Sequence, residues 1–335
     1  MISKLDDLSI LDKNNLSLNF VKLVDKLFYF QGKISIEILF DIINQINLQQ
    51  GDHTYDPFCG SGTTGISSNL LNISHTGIDI SNFSVFLSNV KGRLLHSNMD
   101  IIFELKNLIK TYDKLIIPNF PLSYYDEIGK FINNEFIKSV FALILLDTQG
   151  FMQRNLRYNF NQALKYVSNR YFNNLSNYYR IRDNLKLSIG KSEYSQNDAR
   201  LFKPNNKYEA IILSPPYGNA IDYVKNDHFN INFLKGNPKN IKENSLGIRG
   251  NTKEQKENLY LEDLDKLCDH LPNLLKNHGY LVFIVGFHKI NNRYVHEYIQ
   301  EYVPLDLHTE YFRDINHFRK NKLQSFKSEV IQIYK

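Results

Sequence analysis

Apolar and polar positions follow two rhythms along this chain. From Asn19 to Ile46 the apolar residues recur at helical spacing with one interruption at "FQGKIS", which predicts two helices joined by a turn. A short apolar run, "HTYDPF", then ends at a glycine-rich turn and reads as a strand. "GTTGISSNLLN" returns to the helical period, "SHTGIDI" reads as a second strand and "NFSVFLSNVKGRLL" as another helix. Strand and helix in alternation indicate a doubly wound sheet.

The alternation then lapses. From about Ser97 to Gly190 the pattern is helical, with no strand in it. Strands resume at "SEYSQNDARLF" and "YEAIILSPPY". "YLEDLDKLCDHLPNLLKNHG" predicts an amphipathic helix stopped by glycine, "YLVFIVGF" a buried strand and "RYVHEYIQEYV" a helix. "LDLHTEYFRDI" and "SEVIQIYK" close the chain as a pair of strands. The expected fold is α/β, a doubly wound seven-stranded mixed sheet of Rossmann-like type with a helical insertion. Its parts are residues 1–96, the insertion 97–190, and residues 191–335. An insertion that long within a compact domain is usually functional.

Composition changes this picture little. The 335 residues are 42% hydrophobic and 22% charged, as in ordinary globular proteins. A net charge of +5 is too small to name a nucleic-acid partner, so that question falls to local clusters. Cys59 and Cys268, the two cysteines, make neither a disulfide framework nor a metal site. No metal is expected, and a reducing cytoplasm is the default. "MISKLDDLSILDKNN" lacks the apolar run of a signal peptide. No stretch nears the ~18 apolar residues of a membrane span. A cytoplasmic chain with no membrane partner is the expectation.

Two short motifs carry chemistry. In "DPFCGSGTT", Asp56 ends the first strand, Gly60 and Gly62 follow, and a helix starts at Thr63. The glycines permit a tight turn and close approach of a ligand to the backbone. The N–H groups of the helix start favour its polar or anionic part. Such a turn alone serves a dinucleotide, another nucleotide-like ligand, or none. No lysine follows, which argues against a GxxxxGK[ST] phosphate loop. Thr64 and then Gly65 stand where a dinucleotide fingerprint has its third glycine. Asp56 beside the loop suits an ammonium group, and Asp79, an acid about 20 residues on, suits ribose hydroxyls. A ligand with a ribose and a positive group fits S-adenosylmethionine better than a dinucleotide.

"DPFCGSGTTGI", followed by "GIDIS" and Lys91, resembles the cofactor half of the amino-group DNA methyltransferases. The second motif, "LSPPYG", resembles their catalytic motif in the Ser-Pro-Pro-Tyr form of the cytosine-N4 members. The run "SPPYGNAIDYVKNDHFNINFLKG" is similar to a subgroup in which that motif continues into an Asp-Tyr and an aromatic-rich helix. The resemblance covers about Phe28–Gly92 and Asp198–Lys335. It implies S-adenosylmethionine bound by Asp56, Phe58, Gly60, Gly62, Thr63 and Asp79. It also implies Asp198 on the adenine amino group and Lys33, in "FYFQGKIS", beside the cofactor. Catalysis would fall to Ser214, Pro215, Pro216 and Tyr217. The Ser214 hydroxyl and the Pro215 carbonyl would accept the two hydrogens of an exocyclic amine, consecutive prolines would hold the turn rigid, and Tyr217 would stack on a flipped base. Methylation at carbon 5 of cytosine needs a thiolate, typically in Pro-Cys, and neither cysteine has that context.

The implied substrate is double-stranded DNA, in a restriction-modification or related system with a cognate restriction endonuclease as candidate partner. Between Gly150 and Gly190 stand seven basic residues, one acid and eight aromatics. Basic groups for phosphates among aromatics for bases suit a DNA face. Arg154, Arg157, Arg170, Arg180 and Arg182 are its candidates, with Arg249 in the basic loop after the catalytic motif. A solvated helical face with buried tyrosines is the alternative. Rival functions are an adenine-N6 or an RNA guanine-N2 methyltransferase, which usually carry Asp or Asn before Pro-Pro-Tyr. A catalytically inactive DNA-binding subunit and a nicotinamide enzyme are further rivals.

Overall fold

A computed structural model of the chain describes residues 16–112, 125, 132–217, 222–314 and 328–335. Gly218, the last residue of the catalytic-motif pattern, and its continuation through 221 lie outside the described residues.

Helices α1 (Leu16–Asp25) and α2 (Ile36–Gln45) lead into β1 (His53–Asp56), α3 (Thr63–Leu70), β2 (Ser74–Asp79) and α4 (Asn82–His96). The predicted insertion contributes α5 (Asp100–Tyr112), α6 (Glu135–Arg154) and α7 (Phe160–Leu185) before β3 (Ser192–Gln196) and β4 (Tyr208–Leu213). Short helices α8 (Tyr223–Asn226), α9 (His228–Phe233) and α10 (Pro238–Asn244) precede α11 (Lys253–His270) and β5 (Leu275–Gly286). A small hairpin of β6 (Lys289–Ile290) and β7 (Arg293–Tyr294), then α12 (Val295–Tyr302), β8 (Leu307–Asp314) and β9 (Ser328–Tyr334) follow.

The main sheet has seven strands in the order β3-β2-β1-β4-β5-β9-β8. The first five run parallel, and β9 enters antiparallel between β5 and β8. This is the expected mixed, doubly wound α/β sheet. Both faces are covered, so the central strands read as continuous apolar runs rather than as an alternation. In β4, Ala210 and Ile212 face one core, and Ile211 and Leu213 the other. In β5, Val282 and Ile284 divide from Leu281, Phe283 and Val285 in the same way.

The insertion helices belong to the first of these cores. Leu143, Leu164, Tyr171 and Tyr178 lie in one buried cluster with Phe20 of α1, Leu39 of α2, Ile66 of α3 and Leu94 of α4. The turn between α6 and α7 is set locally. Asn159 accepts from the Gln162 backbone N–H, and the Gln162 side chain accepts from the Asn159 N–H, a reciprocal cap.

One predicted boundary moves. The helix expected to stop at glycine ends at His270, and the chain passes through a 3₁₀ turn, Leu271–Leu274, into β5. Pro272 lacks the N–H that would continue the helix. Gly279 instead sits in β5, where the pairing with β4 shifts register between Tyr208 and Ala210.

Candidate active site

The sheet order reverses between β1 and β4, and ligands of open α/β sheets bind at the carboxyl ends of the strands beside such a switch. A cavity of about 1080 Å³, counted with its open mouth, lies there. Its walls bring together Lys33, Asp56, Phe58, Gly60, Thr63, Asp79, Asp198, Ser214 and Pro216 from both halves of the sequence. Gly62, Pro215 and Tyr217 are not part of its lining.

The glycine turn is built as its residue types require. Gly60 and Gly62 have φ of 47° and 75°, a region costly for side chains other than glycine. At Gly62 a Cβ would also meet Ser88 Oγ at 3.0 Å and Ser88 Cα at 3.1 Å. Two carboxylates clasp the turn. Asp56 accepts from the Phe58 N–H at 2.9 Å and the Thr64 hydroxyl at 2.6 Å. Asp79 accepts from the Gly60 N–H at 3.0 Å and the Ser81 N–H at 2.9 Å. Burial outweighs these bonds, pushing Asp56 up to about 7 and Asp79 up to about 6.

Lys33 is held by Asp25, donating to its carboxylate and to its carbonyl at 3.1 Å. Asp25 also accepts from the Thr63 hydroxyl at 3.0 Å and lies 3.5 Å from Lys91 Nζ. Lys91, fully buried, donates to the Ser61 carbonyl at 2.8 Å. Burial brings Lys91 down to about 8 against the opposing pull of Asp25. Burial would raise Asp25, but Lys91 and Lys33 together hold it below its ordinary value.

Asp198 is not free either. Arg200 Nε donates to it at 2.8 Å and bridges onward to Asp263 at 2.8 Å and the Asn244 carbonyl at 2.9 Å. Burial acts to raise Asp198, and the Arg200 bonds overcome it. Arg249, expected on the DNA side, donates to Asp263 at 2.6 Å. That network ties Asp198 to α10 and α11, and the segment after the catalytic motif lines the cavity with Ile241, Leu246 and Ile248. Sequence reasoning missed Asp25, Arg200, Asp227 and Asp263.

Tyr217 is anchored from behind. Its hydroxyl donates to Glu329 of β9 at 2.9 Å, Glu329 pairs with Arg313 at 3.0 Å, and the Ser214 side chain reaches the same tyrosine hydroxyl. Cys59 and Cys268 are buried free thiols. Burial pushes Cys59 well up and Cys268 up to about 12, so neither supplies a thiolate near neutrality. Among the described residues no group of His, Cys, Asp and Glu is arranged to hold a metal ion.

The arginine candidates separate into two kinds. Arg170 pairs with Asp147 and donates to the Leu27 carbonyl at 3.1 Å. Arg182 donates to the carbonyls of Leu95 at 2.9 Å and Ser97 at 2.6 Å. These two and Arg249 spend their donors inside the fold. Arg154, Arg157 and Arg180 are exposed, although Arg154 also lies 3.7 Å from the Asp147 carboxylate. Arg154 lies over the Tyr29 ring at 4.3 Å, next to the cavity residue Phe30. Arg157 follows in the α6–α7 turn. Arg180 stands 20 residues into the 26-residue helix α7, about 30 Å along it. Nearby Tyr178 bonds Leu95, at the end of α4 remote from the cavity. The seven-basic cluster of the sequence is therefore spread along a long helical hairpin.

The residues present fit S-adenosylmethionine. Asp56, Asp79, Asp198 and Asp227 reach one cavity whose cationic lining, among the described residues, is Lys33, so the site accommodates a ligand with net positive charge. Phe58, Ile80, Ala199 and Leu246 offer apolar surface near Asp198, suited to a purine.

Comparison with known proteins gives a family match over the first quarter of the chain. Residues 6–89 match the model of a DNA methylase family. The Type II methyltransferase M.BsoBI of Geobacillus stearothermophilus is 35% identical over 72 residues, which is 22% of this chain and 14% of that protein. TrmN of Thermus thermophilus aligns with a TM-score of 0.40 and 9% identity, over 95% of this chain and 52% of TrmN. An S-adenosylmethionine-dependent methyltransferase of Clostridium acetobutylicum aligns with a TM-score of 0.37 and 10% identity, over 96% of this chain and 98% of that one. No helix among the described residues is long and apolar enough to cross a membrane.

Proposed function

We propose that the protein is an S-adenosylmethionine-dependent DNA methyltransferase that modifies the exocyclic N4 amine of a flipped cytosine. The observation that carries the reading is the convergence of the glycine turn and Ser214 on one cavity. The cofactor would supply an electrophilic methyl group. Asp79 would hold the ribose, Asp56 and the glycine turn the amino-acid end, and Asp198 the adenine amine. The amine's lone pair is conjugated into the ring, so it reacts poorly until its hydrogens are drawn toward acceptors. Ser214 Oγ and the Pro215 carbonyl would draw them, Ser214 lining the cavity directly after the buried strand β4. Most of the rate would then come from positioning and polarisation. Glu329 fixes the Tyr217 hydroxyl, so base stacking would use a ring whose orientation is already set. The test is to incubate protein, cofactor and DNA, digest to nucleosides and identify the methylated base by mass spectrometry. N6-methyladenine as the only product overturns the choice of base, and in a parallel incubation with RNA, methylation of RNA and none of DNA overturns DNA as substrate.

Asp79→Ala is expected to weaken S-adenosylmethionine binding by about 1.5–3 kcal/mol, the worth of a hydrogen bond to a charged group. Calorimetry reads this directly, and an unchanged affinity removes the ribose role.

Residues 97–190 remain the candidate recognition region, as a face continuous with the catalytic core. Arg154 and Arg157, at the cavity end, are the arginines we assign to DNA. Replacing both by alanine is expected to lower affinity and reduce the salt-dependence slope by about 0.9 per lost phosphate contact. Arg180→Ala, at the remote end, should change neither. Binding titrations across salt concentrations distinguish the two ends, and an unchanged slope in the Arg154/Arg157 variant makes that end a solvated surface only. A cognate restriction endonuclease remains a candidate partner in a restriction-modification setting.

A further inference from the structure

Four aspartates line the cavity, and they are satisfied very differently. Asp198 has the Arg200 guanidinium. Asp56 and Asp79 each take two hydrogen bonds from the glycine turn and its flanks. Asp227 takes one, from the Asn230 amide at 3.0 Å. Among the described residues no cation pairs with it. It also differs in origin. Asp56 and Asp79 end strands of the cofactor half, whereas Asp227 stands between α8 and α9 and lines the cavity with Ser214, Pro216, Tyr223 and Ile231. Its charge acts on Asp79, the acid assigned to the ribose. In S-adenosylmethionine the sulfonium is bonded to the 5′ carbon of that ribose, so the least satisfied acid of the cavity stands on the side of the group that changes charge.

We infer that Asp227 distinguishes the cationic methyl donor from its uncharged-sulfur product, stabilising the sulfonium before transfer and losing that attraction after it. The inference rests on the S-adenosylmethionine reading above. Transfer converts a sulfonium into a thioether, so a carboxylate beside it attracts the donor and gains nothing from S-adenosylhomocysteine. Product release is favoured without any rearrangement of the fold. The groups that face Asp227 are Asp79 from β2 and Tyr223 from α8, with Lys33 and Asp56 across the same cavity. Burial, and then Asp79, push Asp227 up to about 7, opposed by the Asn230 bond. An acid in that state is poised to give up its proton when a cation arrives.

The experiment is calorimetric titration of the full chain with S-adenosylmethionine and with S-adenosylhomocysteine, for the wild type and Asp227→Asn. The variant keeps the shape and removes the charge. Its affinity for the donor is expected to fall about tenfold or more, as for other bonds to charged groups, with its affinity for the product nearly unchanged. A parallel loss for both ligands, or no loss for either, overturns the inference. Failure of the wild type to bind either ligand overturns instead the cofactor reading on which it rests. Should that variant not fold, Asp227→Ala in the same two titrations serves in its place: a loss confined to the donor upholds the inference, and a parallel loss or none overturns it.

Discussion

Replacing Ser214 by alanine is expected to cut methyl transfer by about 100- to 1000-fold, the scale on which removal of one positioned hydrogen-bonding group at a developing charge acts. Binding of S-adenosylmethionine should change little. The residue stands directly after β4, whose Ala210, Ile211, Ile212 and Leu213 are fully buried, so the acceptor is carried on one of the most rigid parts of the molecule. Its contact strengthens as the amine pyramidalises, and an interaction made chiefly in the transition state lowers kcat rather than raising KM. Single-turnover rates with saturating cofactor and DNA, beside cofactor affinities, give the split. Equal losses in binding and turnover would mean that Ser214 shapes the cavity and does not polarise the amine. The alternative nucleophilic route is closed by the two thiols, both buried and both raised far from the thiolate range.

The second large effect concerns stability. Lys91→Ala removes a fully buried ammonium from between the Ser61 carbonyl and Asp25. Removing one member of a buried ion pair typically costs about 3–5 kcal/mol. Lys33 still faces Asp25, so the lower end, about 3 kcal/mol, is expected. Because Lys91 reaches the glycine turn from α4 and Asp25 reaches it from α1, the variant should also weaken cofactor binding. Chemical denaturation of Lys91→Ala, Asp25→Asn and the double variant checks this. The double variant should lose less than the sum of the single losses, since the second change removes the charge stranded by the first. Strict additivity would show that the two groups do not act as a pair.

Much of this site was legible in the sequence, because its signals are local. Strand, turn and helix around Asp56–Thr63 follow from period and glycine placement within about a dozen residues. The end of β2 at Asp79 and of β4 at Leu213, just before Ser214, follow in the same way. The strand pair at the chain's end and the helical character of α5, α6 and α7 were equally local. The glycine stop assigned to Gly279 failed because Pro272 ends the helical run first.

What the tertiary structure alone decided is the state of each charge. Arg170, Arg182 and Arg249 carry the same side chain as Arg157, and only their carbonyl and carboxylate partners at Leu27, Leu95, Ser97, Asp147 and Asp263 remove them from the surface. The length of α7 places Arg180 away from the cavity. Glu329, more than a hundred residues after Tyr217, determines how that ring is held. Asp25, buried, and Asp227, half-buried, gain their significance from the groups distant in sequence that stand beside them. Periodicity specifies which face of an element is buried, whereas the charge and freedom of a polar side chain depend on what the fold sets against it.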